Sequence, residues 1–227
     1  MPVVDARTRF LYRCSLAAFA ATLVYTFVLS RVLPSELASP LGGLRTPIIA
    51  LELARSRLDL LAVLGAPDDP GRSSRIAAML RGHELDAGYL VVYNLFLGLL
   101  LWALARESSS RLPLLAIALP FCAAAADAWE NVILVALLAT LDHPDALLKT
   151  LAVATWCKWG ALAVATAAAG LGLYGLRRRA LGTLALLPLL TALVAYVDPH
   201  RFGELLSAGL VLAWISLAVH AASRARA

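Results

Sequence analysis

The chain has 227 residues, of which 61% are hydrophobic and 15% charged, with a formal net charge of +5. Soluble domains run at about 45–50% apolar and about 25% charged, and a chain this short cannot bury so large an apolar excess in one water-facing core. A soluble globular domain, a disordered chain, a collagen and a disulfide scaffold are excluded, which leaves an all-α polytopic transmembrane helix bundle, a single integral domain over residues 1–227.

In chain order, Arg7, Arg9 and Arg13 precede an apolar run from Cys14 to Leu33. The run is long for the apolar part of a secretory signal, and Pro40 follows Leu37-Ala38-Ser39 where cleavage would fall, so a retained signal-anchor helix is expected. A span needs about 20 apolar residues. Six runs qualify, at roughly 14–33, 86–105, 112–140, 146–175, 181–197 and 204–222. Pro120 and Pro188 lie inside two of them and are expected to kink their helices.

Residues 34–85 form the first connection. From Ile48 to Leu64, Glu52, Arg55, Ser56 and Asp59 recur at i, i+3, i+4, i+7, with Leu51, Ala54, Leu58 and Leu61 between them. This pattern predicts one amphipathic helix lying in the membrane interface, part of a lid-like extracytoplasmic loop. Gly65 to Gly71, with Pro67 and Pro70, reads as a turn. Ser73 or Ser74 then caps a short helix through Ile76, Met79 and Leu80 that Gly82 ends.

With the N-terminus in the cytoplasm, tails and short loops on that side hold ten arginines: 7, 9, 13, 106, 111, 177, 178, 179, 224 and 226. The short loops opposite hold Lys149 and Arg201 only. The positive-inside rule therefore puts both termini in the cytoplasm. The lean toward Arg, Ala and Leu, with Lys149 and Lys158 the only lysines among 20 basic residues, points to a GC-rich bacterial source and so to the inner membrane. The basic residues sit at run ends without interleaved aromatics, so nucleic acid is not expected as a partner. Membrane lipids are, with a homo-oligomer or a larger membrane complex as the assembly.

The strongest chemical signal is Asp127, Glu130 and Asn131, which share one helix arc inside the third run. Each charge at mid-bilayer costs about 2.5–3.5 kcal/mol on insertion scales, so two carboxyls within one turn need a partner or a purpose. Pairing the third and fourth runs about Asp142 to Asp145 brings Glu130 level with residue 157 or so. Lys158, the only basic residue more than four residues from the end of a run, is expected to meet Asp127 or Glu130, with Thr155, Trp156 and Trp159 beside it. Pairing the second and third runs about Ser108 brings Asp86 and Tyr89 opposite Glu130 and Asp127. Tyr93 shares their face and Asn94 lies about 80° round.

The candidate site thus has Asp127, Glu130 and Lys158 as the acid–base groups, with Asp86, Tyr89, Tyr93, Asn94, Asn131 and Trp159 about the substrate. His83 and Glu84 stand at its mouth. Two carboxyls facing one ammonium leave excess negative charge, to be met by a held proton, a metal or a ligand cation. The motifs of serine hydrolases, zinc proteases, P-loops and dinucleotide folds are absent, and no cofactor is specified. Cys14, Cys122 and Cys157 lie in or beside apolar runs without metal spacing. His83, Glu84 and Asp86 with Asp127 and Glu130 are the one set whose chemistry would suit a metal. His143 and His200 read as loop residues and His220 as interfacial. Three functions fit: acid–base work on a lipid or amphiphile, proton- or cation-coupled transport, or a non-catalytic subunit in which the cluster glues helices together.

Overall fold

The computed structural model describes residues 4–108, 110–141 and 143–226. Among them are ten helices: α1 (Ala6–Val32), α2 (Pro47–Glu52), α3 (Arg57–Leu64), α4 (Arg72–Glu107), α5 (Leu112–Leu115), α6 (Ala118–Ala139), α7 (Asp145–Gly175), α8 (Arg179–Val197), α9 (Pro199–Phe202) and α10 (Glu204–Ala225). Taking α5 and α6 together, six helical segments are long and apolar enough to cross a membrane. The chain is a polytopic all-α membrane protein. Phe10, Val24, Phe27, Leu115, Phe121, Val132 and Val197 are all more than half exposed, as lipid-facing side chains should be.

The spanning helices close a ring in chain order. α1 packs on α4, α4 on α6, α6 on α7, α7 on α8, α8 on α10, and α10 returns to α1. The first helix starts at Ala6 because Asp5 caps it, accepting from the Thr8 amide and hydroxyl at 2.9 and 2.8 Å. Those two donors hold the Asp5 carboxyl below its ordinary value.

Three expectations about elements are corrected. The short helix ending at Gly82 and the span at 86–105 are one helix, α4, of 36 residues. Gly82 takes no left-handed cap there, and Leu33 fills the space a Cβ would need, so the glycine serves close packing of α1 on α4. At 1.5 Å per residue α4 is about 54 Å long, well beyond the hydrocarbon core, so one end stands clear of it. The third run breaks at Ala116 and Ile117, upstream of Pro120, which falls in the first turn of α6 where no amide is needed. α8 runs through Pro188.

The third correction concerns residues 48–64. They form two short helices rather than one, packed against the bundle. Ser56 and Asp59 make a reciprocal capping box that starts α3 afresh. The intervening Leu53 and Ala54 are fully buried, as are Leu51 and Val63, while Leu58 of the expected apolar face is 75% exposed. Glu52 and Asp59, on the expected water-facing stripe, are buried instead. Their polar atoms are satisfied inside the protein, which removes the reason for facing water. The segment packs on α4, α6 and α7 and covers one end of the ring.

Candidate functional site

Every partner of Lys158 expected from the register is in place, with one more besides. α6 presents Asp127 and Glu130, and α7 presents Lys158, Thr155 and Trp159. The Lys158 ammonium pairs directly with Glu130 and lies 3.4 Å from Asp127 Oδ1. It also lies 3.0 Å from Glu52 Oε1, carried by α2. Three carboxylates therefore surround one ammonium, in a place where Glu130 is 0%, Asp127 4% and Lys158 5% exposed.

Glu52 is held from several directions. Trp159 Nε1 donates to its Oε2 at 3.1 Å, and Thr155 Oγ1 donates to its backbone carbonyl at 3.1 Å while also bonding Glu130. Arg55 donates from Nη1 to the carbonyls of Glu52 and Ala54 at 3.3 and 2.8 Å. Burial holds the Arg55 guanidinium below its ordinary value, opposed by the nearby charges of Asp59 and Glu130. The sequence pattern concealed Glu52 because its spacing matched a solvated stripe. The signal that could have found it was the Ser56–Asp59 capping box, which breaks the stripe into two helices.

α4 supplies the next layer. Tyr93 donates to Asp127 Oδ2. Asn131 donates from Nδ2 to Asp86 at 2.6 Å and accepts on Oδ1 from His83 Nδ1 at 3.0 Å. With Nδ1 as the donor, neutral His83 keeps its lone pair on Nε2, which is buried without a hydrogen-bond partner. Other expected members stand aside. Tyr89 meets Tyr93 edge to face at 5.2 Å, and it is Tyr93 that reaches Asp127. Asn94 spends its amide on the Leu90 carbonyl of its own helix at 2.7 Å. Trp156 packs on Tyr196. Glu84 is exposed and faces Arg31 and Arg81, so the proposed set of His83, Glu84 and Asp86 does not converge. Among the described residues no three His, Cys, Asp or Glu side chains are grouped to hold a metal ion.

A second buried polar cluster lies at the opposite end of the ring, where the sequence suggested only interfacial residues. Tyr12 of α1 donates to Glu107 Oε2 at 2.6 Å, and Arg224 pairs with the other Glu107 oxygen. His220, which is 1% exposed rather than interfacial, has Nε2 3.3 Å from the Tyr12 hydroxyl and its ring edge-on to Tyr12. Between the clusters α4 presents Phe96, Leu97, Leu100, Leu101 and Leu104, all fully buried, and α10 presents Trp214 and Leu217. Tyr93 and Glu107 are thus separated by about 21 Å of apolar helix.

Compared with known proteins, the chain matches no family model, no curated protein and no solved structure. What the arrangement can do is therefore argued from its charge and shape. Glu52, Asp86, Asp127 and Glu130 would bring four negative charges if all were ionised, against one ammonium and the Arg55 guanidinium behind Glu52. Such an imbalance is costly in a buried site, and protons or a cation would relieve it.

Proposed function

We propose that the protein carries out acid–base chemistry on an amphiphilic molecule at the Glu52–Asp127–Glu130–Lys158 cluster. The observation that carries this reading is three carboxylates sharing one ammonium. A site matched charge for charge would be glue; this one has carboxyls left over to hold and exchange protons. Glu130 or Asp127 is the proton carrier, Lys158 the charge partner, and Asn131 orients Asp86. Access is from the end covered by α2 and α3, and the apolar layer beneath supports a one-sided site over a through-path for ions. A substrate drawn from surrounding lipid fits a site enclosed by membrane helices. In this reading the protein resides in a bacterial inner membrane with both termini in the cytoplasm.

Infrared difference spectroscopy of the protein in lipid nanodiscs tests it. A protonated-carboxyl band near neutral pH should be present, should exchange in D₂O, and should vanish in Glu130→Gln or Asp127→Asn. If neither substitution removes such a band, and no cation is bound by the cluster, the acid–base reading fails and the cluster is interhelical glue.

A further inference from the structure

At the end of the ring that carries α2 and α3, a surface cavity of about 370 Å³ opens between the last turn of α1 and the outer part of α4. Its lining is Arg31 and Val32 from α1 and Arg81, Glu84 and Leu85 from α4. That volume lies at the lower end of the range for small-ligand pockets. Two guanidiniums and one carboxylate give the cavity a mixed character. Guanidinium groups pair with phosphate oxygens through two parallel hydrogen bonds, and a carboxylate pairs with an ammonium.

The surface of α1 leads to this cavity. Leu23, Phe27 and Arg31 follow one another at i+4, and Val24, Val28 and Val32 form the adjacent row. Leu23, Val24, Phe27 and Val28 are 53%, 62%, 59% and 37% exposed, so both rows face lipid. The two rows make an apolar track about 12 Å long that ends at the charged cavity. Arg31 is drawn to the end of that track, its guanidinium 5.0 Å from the Phe27 ring centroid.

We propose that this groove binds a phospholipid whose headgroup carries both a phosphate and an ammonium. The phosphate sits on Arg31 and Arg81, the ammonium on Glu84, and an acyl chain lies along Leu23, Val24, Phe27 and Val28. An arginine at a helix end can reach the interface alone. Two arginines and a glutamate from different helices, converging at the end of an apolar track, match the dipolar headgroup and its chain together. The site is separate from the acid–base cluster, since Glu84 and Arg81 lie on the α1-facing side of α4 while His83 and Asp86 bond to α6.

Native mass spectrometry of the detergent-extracted full chain, given either phosphatidylethanolamine or phosphatidylglycerol, tests the site. The wild type should retain phosphatidylethanolamine at least fivefold better. Arg31→Gln/Arg81→Gln should lose that adduct at least fivefold with an unchanged melting temperature. Glu84→Gln should keep phosphatidylglycerol and lose the preference for phosphatidylethanolamine. Should the glutamine pair fail to fold, Arg31→Lys/Arg81→Lys, which keeps charge but not the bidentate geometry, should still weaken retention. Equal retention of both lipids by the wild type would overturn the proposal. So would undiminished retention in a folded arginine variant, or displacement of the lipid by millimolar inorganic phosphate, which would make free phosphate the ligand.

Discussion

Glu52 and Lys158 meet at 3.0 Å although one sits on a six-residue helix in the first connection and the other is buried midway along α7. This pairing ties the covering segment to the acid cluster, so the state of one is felt by the other. Glu52→Gln keeps the shape and removes the charge. We expect amide exchange across residues 47–64 to rise about tenfold or more, the equivalent of losing one charge-assisted bond of about 1.5 kcal/mol. Hydrogen-exchange mass spectrometry in detergent micelles measures it, and an unchanged rate would show that apolar packing alone holds the segment.

Lys158 should be the least replaceable side chain in the bundle. Lys158→Met leaves three carboxylates facing one another and should destabilise the protein by about 3–5 kcal/mol. Adding Glu130→Gln to it should recover part of that loss, since two carboxylates rather than three remain to repel. Thermal unfolding of the single and double variants gives the comparison.

Legibility in the sequence followed the length of the connections. The sequence puts Glu130 opposite Lys158 because only a few residues connect α6 to α7, which fixes the level of the two helices to within a residue. Asp86 meets Asn131 at the expected level, and Tyr93 rather than Tyr89 reaches Asp127 because a long side chain on a helix leans toward the helix N-terminus. Glu52 was hidden for a different reason. A periodic polar stripe carries no mark that tells water from a buried ammonium, and only tertiary packing decides. Glu107 and His220 were overlooked because polar residues near run ends satisfy the interface equally well, and nothing local shows that three helix ends converge on them.

The Glu107 cluster should act as a clamp between α1, α4 and α10. Tyr12→Phe removes one hydrogen bond to a charged acceptor and should cost about 1.5–3 kcal/mol. Arg224→Met alone should cost more, about 3–5 kcal/mol, because it leaves the buried Glu107 carboxylate without its guanidinium. Denaturant titrations of the two variants side by side would separate the effects, and equal losses would contradict the ion pair's larger part.

Asp5 gives a pH dependence with a definite sign. Its carboxyl is held below the ordinary 3.8 by the Thr8 amide, then by the Thr8 hydroxyl. A depressed folded value means that its contribution is present above the unfolded value and lost as the pH falls through the folded one. Exchange at residues 6–9 should therefore stay constant from pH 7 to about 5 after correction for intrinsic rates, then accelerate below about 4. Asp5→Ala should abolish this acid step.

The proposed topology, six spans with the arginine-rich side inward, predicts that the start of α1 and the end of α10 both lie in the cytoplasm. After Cys14, Cys122 and Cys157 are replaced, single cysteines introduced at residues 7 and 226 should both resist an impermeant thiol reagent in intact cells. Residue 68, in the first connection, should react. Labelling at only one terminus would remove a span from the bundle.

The ring closure also constrains the order of assembly. Of the described helices α1 is made before the others, yet one of its two flanks is completed only by α10. Until then the Tyr12 hydroxyl and the Glu107 carboxylate lack the cover that His220 and Arg224 give them in the closed ring. A chain that has made only α1 to α8 therefore carries a Glu107 carboxylate without the Arg224 guanidinium, and docking of α10 completes the flank of α1 and that ion pair in one step.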